Sequence, residues 1–194
     1  MTNLPAEIVE RFYLTLNGDI PIEAFEKWLY ADRTLEQYLN PDDYLDLISL
    51  GFKKSGAKYE LWKLLKKHID LADFETYKLR NLLQEARLKT ERLPQVLVAF
   101  YELYCDGYYF LQQLAIGYGL AIQVPQVENT TAETWDELNA MEKKALLKSL
   151  EQGLDDEVDL VLGWLESGKI KLTGEIDEMG RYMYDDFRTQ GDRD

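Results

Sequence analysis

Along most of the chain the apolar residues recur three and four positions apart, and helix start and stop signals stand where those runs begin and end. Leu4, Ile8, Val9, Phe12, Tyr13 and Leu16 mark a first helix, with Pro5 near its first turn and Gly18 just past its end. A second begins after Pro21 and places Ile22, Phe25, Trp28 and Leu29 on one face. Thr34 and Gln37 have capping-box spacing for a short third helix bearing Leu35, Tyr38 and Leu39. Asn40-Pro41-Asp42-Asp43 reads as an N-cap, a proline at the first helical position and two first-turn acids, opening a helix that ends at Gly51. Residues 57–69 predict a fifth helix, with Ala57, Leu61, Leu64, Leu65 and Ile69 inward, and Asp70 caps a longer one through Leu88.

The longest predicted helix runs over residues 93–117. In it Leu93, Leu97, Phe100, Tyr104, Gly107, Leu111, Leu114 and Tyr118 alternate by four and three, the pattern of a packing seam. Gly107 within that seam costs about 1 kcal/mol in helix propensity, so close approach of another helix is expected there. Tyr101, Cys105 and Tyr108 flank the seam, with Cys105 expected half-buried and inert. Residues 120–124 and the alternating Ile170 and Leu172 predict two extended pieces that pair. Between them, Thr130 and Glu133 form another capping box, for a helix burying Trp135, Leu138, Met141, Ala145 and Leu150. The acid-rich start at Asp155 opens a further helix with Val158, Val161, Leu162 and Leu165 inward. A last helix from Gly174 carries Ile176, Met179, Met183 and Phe187. The expected fold is all-α: a multi-helix bundle of about eight to ten helices with at most one short two-stranded extended pairing. A single helical domain over residues 1–194 is expected, with a possible sub-boundary near 89–94, where a basic segment ends.

Charge narrows the function. The net charge is −14, distributed as −7 over residues 1–52, +5 over 53–92 and −12 over 93–194. So acidic a chain is a poor nucleic-acid binder, although the lysine- and aromatic-rich run "GFKKSGAKYELWKLLKKH" is the one segment that could grip a phosphate backbone. No apolar window approaches the roughly 20 residues that span a bilayer. Neither a signal nor a transit peptide fits "MTNLPAEIVERFYLTL". A lone cysteine suits a reducing compartment, and a cytoplasmic protein without a membrane partner is the expectation.

Candidate chemistry is sparse. His68 is the single histidine, so metal sites that need several histidine or cysteine ligands cannot be assembled, and its place on an apolar arc marks it as structural rather than as the base of a triad. The carboxylates Asp155, Asp156, Glu157 and Asp159 suit a helix N-terminus, where the dipole favours negative charge. No cofactor and no metal are expected. One residue of the long helix departs from the seam. Tyr109 shares a face with Glu102, Asp106 and Gln113, an acidic outward strip of the kind interaction surfaces use. On this wheel Tyr104→Ala costs ~3–5 kcal/mol, whereas Tyr109→Ala leaves stability nearly unchanged.

The segment "FEKWLYADRTLEQYLNPDDYLDLISLGFKKSGAKYELWKLL", residues 25–65, resembles the opening of small acidic helical immunity proteins of bacterial polymorphic toxin systems. In that pattern an "FExWLY" helix precedes a short "LExxL" helix, a "YLxLISLxF" helix and a lysine-rich segment with "AKYEL". The likeness extends over residues 11–69, and after Leu88 the chain shows nothing of it. The resemblance implies a non-enzymatic inhibitor that binds a cognate, basic toxin domain and blocks its active site; it carries no catalytic residues and no site over to this chain, and sets no oligomeric state. Two other readings stay open: a helical sensor or ligand-binding domain with a tyrosine-lined pocket, and a carboxylate-dependent enzyme using Asp155 or Asp156.

Overall fold

A computed structural model describes residues 4–126 and 132–192. The chain divides into two compact units, Met1–Tyr77 and Lys78–Asp194, and each has its own apolar core. The fold is mostly helical, with one two-stranded antiparallel sheet among the described residues.

The first unit holds α1 (Ala6–Asn17), α2 (Ile22–Ala31), a 3-10 turn (Arg33–Gln37), α3 (Pro41–Ile48), α4 (Ala57–Leu65) and the start of α5 (Leu71–Leu88). Its core forms where the apolar stripes converge. Phe12 of α1 meets Phe25 of α2 edge-on, with centroids 6.0 Å apart, and Phe25 also touches Trp28 and Phe52. Gly18 ends α1 at φ 89°, the left-handed conformation a glycine adopts without steric cost. Asn40 caps α3 by accepting from the Asp43 N–H at 2.8 Å. Asp70 accepts from Ala72 and Asp73 at 2.8 and 3.1 Å, starting α5 as expected. Two boundaries differ from expectation. Asp32, not Thr34, caps the short third element, accepting from the Thr34 N–H at 2.9 Å. Helix α4 ends at Leu65, so His68 lies in the turn that follows.

The second unit continues through α6 (Leu93–Cys105), a 3-10 turn (Tyr109–Leu111), a π-helical stretch (Gln113–Gly119), α7 (Leu120–Gln123), a 3-10 turn (Trp135–Glu137), α8 (Ala140–Leu150), α9 (Leu154–Glu166) and strands β1 (Ile170–Ile176) and β2 (Tyr182–Asp186). The single long helix expected over 93–117 is therefore broken. Gly107 stands at φ 120°, and a Cβ there would lie 2.7 Å from the Tyr182 carbonyl oxygen. The backbone that approaches this glycine belongs to β2, not to another helix, and the Asp106 carbonyl accepts the Tyr182 N–H at 2.7 Å. The close helix approach occurs at Gly119 instead, where a Cβ would lie 2.4 Å from the Leu97 carbonyl oxygen. Leu93, Leu97, Phe100, Leu111, Leu114 and Tyr118 are buried as the seam requires, but Tyr104 is only half-buried.

The pairing of 120–124 with the Ile170 segment does not form. Residues 120–123 are helical and bury Ile122. Ile170 and Leu172 belong instead to a hairpin with β2, Ile170 opposite Asp186 and Leu172 opposite Tyr184. The register shifts between Leu172 and Ile176, a stretch containing Gly174 at φ 71°. Asp177 closes the turn by accepting from the Met179 and Arg181 N–H groups, both at 2.8 Å. This hairpin replaces the predicted last helix. Ile176, Met179, Met183 and Phe187, whose helical spacing suggested a core stripe, are all exposed. The residues that dock the hairpin alternate along it: Tyr182 stacks on Tyr108 at 4.9 Å, and Tyr184 meets Phe110 edge-on at 4.9 Å.

The capping box expected at Thr130 lies outside the described residues. Asn139 and Glu142 cap α8 reciprocally, with Trp135 ahead of that helix. Of its expected core residues Leu138 and Leu150 are buried, whereas Met141 is exposed.

Candidate interaction surface

Gly107 ends the helical path of α6, so the four strip residues come from different local structures. Glu102 lies on α6, Asp106 caps its C-terminus, Tyr109 opens the 3-10 turn and Gln113 opens the π-helical stretch. All four are exposed. Tyr109 is 46% exposed, yet it is fixed at both ends. Its ring stands edge-on to Tyr104, centroids 5.6 Å apart, and its hydroxyl accepts from Arg181 Nη1 at 3.1 Å. Arg181 belongs to the hairpin turn, whose neighbour Tyr182 is bonded to Asp106. The strip therefore adjoins the hairpin, which the sequence reading did not foresee. Met179 at the turn is 74% exposed, and Ile176 and Phe187 are also largely exposed. Glu175, Glu178 and Asp185 lie among them, all exposed. Neither these three nor Glu102 and Asp106 make an ion pair among the described residues.

The tyrosines of the opening half of this unit have different partners. Tyr108 is only 1% exposed, packed among Phe110, Tyr182 and Tyr184. Tyr118 is buried with its hydroxyl donating to the Gln152 carbonyl at 3.4 Å, and burial first, then Glu157 and Asp156, raises its pKa. Tyr101 lies beside Cys105, and a hydrogen bond between them raises the phenol's pKa. Cys105 itself is exposed, against the half-buried position expected, because α6 ends there and the chain turns away.

A groove of about 500 Å³ opens beside α6, lined by Pro94, Gln95, Val98 and Glu102 of that helix with Ile122, Gln123, Thr134, Trp135 and Asp136. Glu102 thus belongs both to the strip and to a concave site.

The remaining candidates have structural partners. His68 is buried with Nε2 3.3 Å from Asp43 Oδ2. Burial lowers its pKa more than Asp43 raises it, which favours the neutral imidazole near pH 7. Asp43 is pulled below the usual carboxylate range although burial acts the other way, because Asn40, Lys67 and His68 together outweigh it. Asp155 pairs with Lys89 at 2.6 Å and Asp159 with Arg87 at 3.4 Å, around the first turns of α9. In the lysine run, Lys63 pairs with Glu60, Lys67 with Asp43, and Lys66 lies 4.3 Å from the Trp62 ring centroid. Among the described residues no group of three or more His, Cys, Asp or Glu is placed to hold a metal ion, and no helix is long and apolar enough to cross a membrane.

No family model, no curated protein and no solved structure matches the chain.

Proposed function

We propose that the protein is a non-enzymatic, acidic interaction protein that binds and blocks a basic partner domain, as an immunity protein does its toxin. The observation that carries this reading is Tyr109, a large aromatic held on the surface by Arg181 and Tyr104. A side chain already fixed loses little rotamer freedom on binding, which is why rigid amphipathic aromatics serve as interface anchors. Its surroundings favour a basic partner. Residues 78–194 carry 22 acidic and 13 basic side chains, and the carboxylates near the anchor are without ion-pair partners among the described residues. Unpaired acids of this kind speed the encounter with a cationic surface more than they tighten the complex. The exposed apolar side chains of the hairpin supply area that charge alone does not.

The test is affinity capture from the native host with the whole chain as bait, beside an Asp106→Lys/Tyr109→Ala bait, read by mass spectrometry at low and high salt. A basic protein enriched on the wild type, lost on the double variant and weakened by salt is the expected result. The same catch on both baits, or no recurring protein on either, refutes the proposal.

A further inference from the structure

We propose that the groove beside α6 receives an arginine side chain of the partner; this rests on the reading of the protein as a binder of a basic domain and names the chemistry of one contact. The groove's residues sort by what they can offer a ligand. Pro94, Val98 and Ile122 provide apolar walls, Trp135 an indole, and Glu102 and Asp136 two carboxylates, while among the described residues no lysine or arginine lines it. An anion would meet two like charges, with Lys143 beside Trp135 and Asp136 as the one counter-charge. A wholly apolar ligand would strip water from those carboxylates without replacing it. A cation on an alkyl stem matches both halves, its stem against Val98 and Ile122 and its head between the carboxylates and the indole.

The chain itself demonstrates the indole's affinity for a cation. Lys143 Nζ lies 5.6 Å from the Trp135 ring centroid and donates to the Asp136 backbone carbonyl at 3.4 Å. That lysine leaves the Glu102 and Asp136 side chains without an ion pair among the described residues. Two carboxylates beside an indole favour arginine over lysine. A guanidinium is planar and weakly hydrated, stacks on an indole and meets a carboxylate through two parallel N–H donors, none of which a compact, strongly hydrated ammonium does as well.

The test uses the full ¹⁵N-labelled chain and small probes, so it needs no partner. The Trp135 indole N–H signal, assigned by its loss in Trp135→Phe, is followed while N-acetyl-arginine amide, its neutral citrulline analogue or N-acetyl-lysine amide is added. The expected result is a saturable shift with arginine, weaker by about tenfold for citrulline and in Glu102→Gln, the loss of one charge-assisted hydrogen bond. No shift with arginine, equal binding of citrulline or lysine, or full affinity in Glu102→Gln overturns the proposal. The two proposals fail separately. A captured basic partner that binds Glu102→Gln and Trp135→Phe as tightly as wild type removes the arginine contact alone. Probe binding with no partner captured removes the partner reading, and with it the partner as the source of the arginine, and leaves only the groove's preference for a guanidinium.

Discussion

Gly107→Ala is the sharpest perturbation of the second unit, because three separate costs meet at one Cβ. The backbone there has φ 120°, and holding a residue with a side chain in so sparsely populated a conformation costs about 1–3 kcal/mol. The added carbon would lie 2.7 Å from Tyr182 O and 3.0 Å from Tyr182 N. Both are backbone atoms, so no side-chain rotation relieves the clash and β2 must move. Its movement strains the hydrogen bond from Tyr182 N–H to the Asp106 carbonyl, 2.7 Å long, worth about 0.5–1.5 kcal/mol net. It also disturbs the stacking of Tyr182 on Tyr108 at 4.9 Å, worth about 0.5–1.5 kcal/mol beyond burial. The expected loss is about 2–6 kcal/mol in the stability of this unit. Urea unfolding measures it, and hydrogen exchange at the Tyr182 amide shows whether the hairpin has shifted. Gly18→Ala is the control: φ is 89° but nothing lies within 4 Å of its Cβ position, so only a conformational cost of about 1–2 kcal/mol applies. A loss below about 1 kcal/mol for Gly107→Ala, or unchanged exchange at Tyr182, refutes the close approach.

Tyr108→Ala removes a buried ring packed against Phe110 and against Tyr182 and Tyr184 of β2 and should cost ~3–5 kcal/mol in urea unfolding, whereas Tyr109→Ala should cost less than about 1; comparable losses would refute the assignment. Asn139→Ala deletes the side chain that accepts from Met141 and Glu142 and should lower the stability of the unit by about 1 kcal/mol, with increased amide exchange in the first turn of α8. Burial holds the His68 pKa below its ordinary 6.5, so the unfolded chain takes up the proton first and the folded first unit loses stability as pH falls through 6.5. The stability advantage of wild type over His68→Gln should therefore shrink on acidification, and an advantage that grows would refute the neutral, buried imidazole.

The first unit was legible because its signals are local. Pro5, Pro21, Asn40 and Asp70 stand at the starts of helices whose apolar residues face one core. The hairpin was not legible for a specific reason: Ile176, Met179, Met183 and Phe187 have helical spacing, but they are solvent-facing residues whose spacing is fortuitous. The informative pattern was the alternation of Tyr182 and Tyr184, together with Asp177 three residues before Gly180 as a turn. The long helix failed for a related reason. A wheel treats Gly107 as one more position, and only the arrival of β2, more than 70 residues later in sequence, shows why the backbone must break there. The cost assigned to Tyr104 belongs to Tyr108, which the break at Gly107 turns into the core.

The strip Glu102, Asp106, Tyr109 and Gln113 was drawn on a continuous helix that does not exist, yet all four residues are exposed. What changes is the origin of Tyr109's rigidity. On a helix its orientation would follow from its own backbone; here it depends on Arg181, 72 residues away, donating to its hydroxyl. Arg181→Met should therefore separate two quantities that mutation of Tyr109 itself confounds. Folding stability should change by no more than about 1 kcal/mol, since the bond is exposed. Partner binding should weaken by about 0.5–1.5 kcal/mol, the cost of ordering a side chain the free protein no longer holds. If Arg181→Met leaves partner affinity intact while Tyr109→Ala reduces it, the ring matters only for its contact area, and the preorganisation argument fails.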